Sequence, residues 1–237
     1  MGKTIKINIL LCDTFPGLLP DFIPSYASMF FDLFNSVSDN VSFEVFPVMQ
    51  SVWPTSIQRD QIYLITGCNR SVYEDEGWIV QLLQWIREAH AVRAKVIGIC
   101  FGHQAIVQAL GGKVERYSGG WGVGIRASQV TEDEFAHCLP DGQMRLLYNH
   151  HDQVTRLPEG ATVLASSPFC RYEALRVGHN IYSFQGHPEY TPEYELHLLR
   201  LHADNEDPEV KRRATISIEQ QTHQGAIIAA FLLEQLS

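Results

Sequence analysis

Residues 95–110 constrain the architecture of this chain more than any other stretch, because they read as a buried strand running directly into a helix. Lys95-Val96-Ile97-Gly98-Ile99 is short, apolar and β-branched, and Ala105-Ile106-Val107-Gln108-Ala109-Leu110 continues in helix formers. A strand that turns at once into a helix begins a crossover, and crossovers build parallel sheets covered on both faces. The same alternation runs through the rest of the sequence. Strands are expected at 5–11, 41–48 and 62–66, and helices at 26–34 and 76–90, the latter from Trp78, Leu82, Leu83 and Ile86 at helical spacing. From 113 to 130 and from 144 to 185 the pattern shifts to short strands with many turns. Helices are expected again at 192–203 and 216–236, with a charged, exposed loop at 205–213 between them. The fold class is therefore α/β, with a mainly parallel central sheet flanked by helices and a small antiparallel region. With 237 residues, 45% of them hydrophobic, and no internal repeat or linker, the chain fits one domain over residues 1–237.

The strand-to-helix junction falls on Cys100. Unpaired N–H groups and the helix dipole favour negative charge at such a position, so a thiolate is well placed there. Gly98 and Gly102 flank the cysteine at alternate positions, which would permit strained dihedrals and leave room for a substrate, as in the Gly-x-Ser-x-Gly nucleophile elbow. Taken alone, the motif reads equally as an inert core cysteine. The second motif, Gly186-His187-Pro188-Glu189, follows another apolar strand, Ile181-Tyr182-Ser183-Phe184, and supplies what a thiol nucleophile needs. His187 is the candidate base, and Glu189 the carboxylate that fixes its tautomer.

With both motifs in hand, the chain is identified as resembling the class I glutamine amidotransferases, the Cys-His-Glu triad family, over nearly its whole length. The stretch 65–79, beginning Ile65-Thr66-Gly67-Cys68-Asn69-Arg70, resembles the free-standing branch that includes γ-glutamyl peptidases. The resemblance implies a flavodoxin-like fold and a catalytic triad of Cys100, His187 and Glu189. It also implies an oxyanion hole made by the backbone at Gly67, Cys68 and Phe101, and no cofactor. Many members carry Gly-Gly-Pro where this chain has Gly67-Cys68-Asn69, which keeps a backbone role while leaving the donor open. Gln104 is implied to help hold the glutamyl group. Asn149, His150 and Asp152 fall in the segment that corresponds to the substrate pocket.

Some residues carry more than one reading. Cys68 either replaces a small residue such as serine or forms an inactivating disulfide with the nucleophile. His103 reads as a helix-start histidine packed against the turn, and Arg171, Tyr172 and Glu173 as candidates for the substrate rim. His150 and His151 invite a metal reading, but adjacent residues on a strand face opposite ways, so no metal is expected. Cys12, Cys68, Cys100, Cys138 and Cys170 show no C-x-x-C spacing, so neither a disulfide framework nor a zinc cluster is indicated. A net charge of −9 without a basic run argues against a nucleic-acid partner. No apolar stretch approaches the roughly 20 residues of a membrane span, and no signal-peptide pattern opens the sequence, so the cytoplasm is the expected location.

The expected chemistry is attack by Cys100 on the γ-carbonyl of a small γ-glutamyl peptide, conjugate or glutamine, through a glutamyl thioester. Two other readings stay open: a glutaminase subunit delivering ammonia to a separate synthetase partner, and a non-catalytic regulatory protein of the same fold.

Overall fold

A computed structural model describes residues 4–201 and 207–237. Its elements, in chain order, are β1 (Ile5–Leu11), α1 (Tyr26–Asn35), β2 (Val41–Pro47), β3 (Ile62–Ile65), α2 (Gly77–Ala91), β4 (Lys95–Ile99), α3 (Phe101–Ala109), β5 (Lys113–Arg116), β6 (Gly122–Val130), α4 (Asp133–His137), β7 (Gln143–His150), β8 (Asp152–Arg156), β9 (Ala161–Ser166), β10 (Ala174–Val177), β11 (Ile181–Phe184), α5 (Pro192–Leu201), α6 (Pro208–Gln220) and α7 (Gly225–Leu236).

Nine strands form one sheet in the order β2-β1-β3-β4-β11-β10-β9-β6-β7. The first five are mutually parallel and the remaining four run antiparallel to their neighbours. The antiparallel part is thus larger than the sequence suggested and continuous with the parallel part. β5 and β8 pair separately as an antiparallel ribbon. The central strands β3, β4 and β11 are almost wholly buried and read as unbroken apolar runs, as strands covered on both faces must. One face packs on α1 and α7 around Phe30, Phe34, Ile228 and Phe231, the other on α2 and α3 around Leu82, Ile86, Ile106 and Val107. Among the described residues no helix is long and apolar enough to cross a membrane.

The charged segment expected as a loop at 205–213 is mostly helix. Residues 205 and 206 lie outside the described residues, but α6 starts at Pro208 with Asp207 as N-cap, its side chain accepting the Glu209 N–H. Proline at the first helical position and an aspartate before it are helix-start chemistry. The helix expected at 216–236 is accordingly two helices, broken at residues 221–224. Residues 202 and 203 of the helix expected at 192–203 also fall outside the described residues.

Candidate active site

The carboxyl ends of β1, β3, β4 and β11 meet at one edge of the parallel sheet, where open α/β sheets bind ligands. Cys100 follows β4 directly and caps α3 with φ 52° and ψ −100°. For a residue other than glycine this is a strained conformation, costing about 1–3 kcal/mol. The strain therefore sits on the cysteine itself. Gly98 and Gly102 are absent from the positive-φ residues and serve a different purpose from the one their spacing suggests. A Cβ on Gly102 would lie 2.2 Å from the Ile65 carbonyl oxygen, and one on Gly98 would lie 2.6 Å from the Gly102 oxygen. They let α3 close onto the strands, which drives the turn at Cys100 sharp.

His187 and Glu189 follow β11, held by a backbone bond from the His187 N–H to the Leu147 carbonyl at 2.8 Å. His187 Nδ1 lies 2.8 Å from Glu189 Oε1. An ionised carboxylate only accepts, so Nδ1 donates to Glu189, and Nε2, buried and without a hydrogen-bond partner among the described residues, is the nitrogen left to exchange a proton with Cys100. Burial disfavours the charged ring, but the Glu189 carboxylate and the Cys100 sulfur outweigh it and lift His187 from its ordinary 6.5 to about 10. The ring is stacked on Tyr190 at 3.9 Å, which fixes its plane. Gln185 donates from Nε2 toward Cys100 Sγ at 3.6 Å.

Tyr26, at the start of α1, connects two parts of this arrangement. Its hydroxyl donates to Glu189 Oε1 at 2.8 Å and accepts the Gly67 N–H at 3.2 Å. The Gly67 amide, expected as an oxyanion donor, is thereby occupied. The Cys68 and Phe101 amides make no backbone hydrogen bond among the described residues. Gly67 is glycine for reasons of space: a Cβ there would sit 2.7 Å from Tyr26 Oη and 3.0 Å from His187 Cε1. Asp13 pins the rest of the turn, accepting the Asn69 N–H at 3.0 Å and receiving the Cys68 thiol at 3.7 Å. Cys68 is a free cysteine, and burial pushes its thiol well up, which keeps it protonated and disfavours oxidation.

A cavity of about 330 Å³ opens over Cys100. Gln104, Asn149, His150 and Asp152 all line it, together with Cys68. Gln104 donates from Nε2 to the Asp152 carbonyl at 2.8 Å and to Gln185 Oε1 at 3.1 Å, so it braces the wall behind the sulfur. Asp152 Oδ1 accepts the Tyr73 hydroxyl at 3.1 Å. His150 is buried, both ring nitrogens lack hydrogen-bond partners among the described residues, and burial first, then neighbouring His187, pushes it well down, so it lines the cavity neutral. His151 also lines the cavity, against Trp121. His103 is fully buried with Nδ1 2.8 Å from Ser183 Oγ, and burial takes it down to about 3.

The expected rim at 171–173 does not form. None of Arg171, Tyr172 and Glu173 lines the cavity, and Glu173 is fully buried, accepting the Ser167 hydroxyl at 2.7 Å. Arg116, Trp121 and Tyr190 line the cavity without having been marked by any motif. Nor does anything local mark Tyr26, an aromatic on an amphipathic helix that reads as core. Its partner lies 163 residues away.

A family model described as "Glutamine amidotransferase class-I" matches residues 18–203. Among curated relatives, γ-glutamyl peptidase 3 of Arabidopsis thaliana is 29% identical over 207 residues, covering 83% of this chain and 81% of the relative. γ-Glutamyl peptidase 5 of the same plant is 30% identical over 188 residues, covering 75% and 74%. A solved glutamine amidotransferase from Thermotoga maritima superposes with a TM-score of 0.75 at 19% identity, covering 99% of this chain and 97% of that one, a likeness of fold.

Proposed function

Because the chain belongs to the class I glutamine amidotransferase family, we propose that it is a cysteine-dependent hydrolase of the γ-glutamyl amide bond in a small peptide or conjugate. The observation that carries this reading is the strained Cys100, held beside the His187–Glu189 pair and near the Cys68 and Phe101 amides, which make no backbone hydrogen bond among the described residues. Cys100 passes its proton to His187 Nε2 and the sulfur attacks the γ-carbonyl carbon. Negative charge then grows on the carbonyl oxygen, where the amides of Cys68 and Phe101 are the available donors; such a donor is commonly worth about 10²–10³ in turnover. The raised basicity of His187 suits it to hold that proton and then give it to the departing amine as the C–N bond breaks. Water, deprotonated by the same nitrogen, attacks the glutamyl thioester and releases glutamate and the free thiol. Asn149, His150 and Asp152 supply polar groups along the cavity for the zwitterionic glutamyl end, with Gln104 holding the wall in place. The likeness to γ-glutamyl peptidases favours a peptide amine as the leaving group over ammonia.

The test is to assay the purified chain on glutamine and on γ-glutamyl dipeptides, with hydroxylamine present to trap the thioester as glutamyl hydroxamate. Dipeptide turnover above that on glutamine, with hydroxamate formed by the native chain and by no Cys100→Ala protein, is the expected result. Substantial hydrolysis by a Cys100→Ala protein with native circular dichroism removes the assignment. Activity on glutamine alone favours the ammonia-delivering reading.

A further inference from the structure

A second cavity, of about 570 Å³, lies between β6, α6 and the turn at residues 167–169. It shares Trp121 with the cavity over Cys100, so the two adjoin along one indole. Among the described residues its charged lining is Arg126 and Arg213, with no carboxylate. Arg126 is half-buried and its guanidinium makes no hydrogen bond or ion pair among the described residues, lying instead over the Phe169 ring at 3.8 Å. Stacking holds the guanidinium flat and leaves its N–H edge free, the geometry that receives a planar anion through two parallel bonds. Arg213 Nε donates to the Glu209 carbonyl at 3.4 Å and lies 3.6 Å from its carboxylate, which Arg212 already binds at 2.8 Å, so this carboxylate does not fully neutralise both. The two cavity arginines also feel each other's charge. Among the described residues the carboxyl acting on Arg126 is Glu173, which burial holds up at about 7 and which therefore offsets only part of the charge at neutral pH. A half-buried cation without a partner is costly to keep, and an anion in the cavity removes that cost.

We propose that this cavity is a carboxylate subsite that receives the far end of the leaving group, and hence that the preferred substrates are γ-glutamyl peptides ending in a free carboxylate. The proposal takes its occupant from the hydrolase reading above. The two cavities meet at Trp121, and Phe169 contacts both the His150 ring, with centroids 6.0 Å apart, and Arg126, so the guanidinium lies next to the wall of the glutamyl cavity. An extended leaving group advances roughly 3.3–3.6 Å per residue, so one of a few residues extends past the glutamyl cavity. Arg213 adds charge from α6, where Ser217 also lines the cavity.

The experiment uses the full chain carrying Cys100→Ala, which holds substrate without turning it over, and calorimetric titration with γ-glutamyl-alanyl-glycine and its C-terminal amide. The acid is expected to bind at least about tenfold more tightly than the amide, as befits charge-assisted hydrogen bonds. Adding Arg126→Gln should bring the two ligands to equal affinity, and Arg213→Gln, at an exposed position that does not threaten the fold, should narrow the gap. Equal binding of acid and amide, no binding of the acid, or a gap that survives Arg126→Gln overturns the subsite. Turnover of both tripeptides by the native chain separates this result from the hydrolase reading. Cleavage with equal affinities leaves the hydrolase and removes the subsite; Arg126-dependent binding without cleavage leaves an anion site and removes the hydrolase.

Discussion

Replacing Cys100 by glycine rather than alanine measures the strain stored at the nucleophile. Both substitutions remove the thiol, so the difference between them reports the backbone. At an ordinary helical position the step from alanine to glycine costs about 1 kcal/mol of propensity and about 0.8 kcal/mol for the lost buried methyl, close to 2 kcal/mol together. Ala109, at the end of the same helix, is as buried as Cys100, 6% against 7% exposed, and provides that reference. At position 100 glycine also relieves a φ of 52°, a gain of about 1–3 kcal/mol. The alanine-to-glycine step there should come out within about 1 kcal/mol of zero, while at 109 it should cost close to 2. Urea unfolding of Cys100→Ala, Cys100→Gly and Cys100→Ala/Ala109→Gly reads both steps. For a chain of this size each kcal/mol also moves the melting temperature by about 2–4 °C. Equal destabilisation at the two positions would refute the claim that the elbow is strained.

Two other outcomes follow from buried polar groups. Tyr26→Phe deletes the bond to Glu189 and strands the Gly67 N–H, so stability should fall by about 2–4 kcal/mol and turnover by about tenfold; a variant with native stability in urea would show that the bridge contributes nothing. Glu173 is held by burial at about 7 against an ordinary 4.5. Because the folded chain keeps that proton longer, the acid's contribution favours folding below about pH 4.5 and is lost as pH rises through 7. Glu173→Gln should therefore gain stability over the native chain as pH goes from 5 to 8, by on the order of 3 kcal/mol at most, and a gap that stays constant across unfolding curves at those pH values contradicts it.

The parallel half of the fold was readable because fully buried strands are short apolar runs, and β1, β3, β4 and β11 fall within a residue of their expected bounds. The antiparallel half resisted element-by-element reading: β6 and β9 pass from fully buried to half-exposed or exposed positions along their own length, so neither an apolar run nor a strict alternation marks them. Cys100, His187 and Glu189 announced themselves through local motifs, and the structure brings them together. The supporting groups did not, since the bridge from Tyr26 and the anchor at Asp13 join loops that are adjacent only after folding. Gly98 and Gly102 show a subtler gap: their spacing is visible in sequence, but whether a glycine serves φ or close approach is decided by what lies opposite it. At 208–213 the charge pattern masked a helix start that Asp207 and Pro208 spell out.

The order of strands has a temporal consequence. β11 enters the sheet between β4 and β10, so a nascent chain emerging from its amino end carries an unpaired edge on β4 until residues 181–184 arrive. The thiol at the end of β4 is made early, whereas its imidazole and carboxylate come with the strand that closes the gap. Biosynthesis itself thus keeps the sulfur without its base until the sheet is sealed, because pairing between strands this far apart in sequence forms later than local pairing.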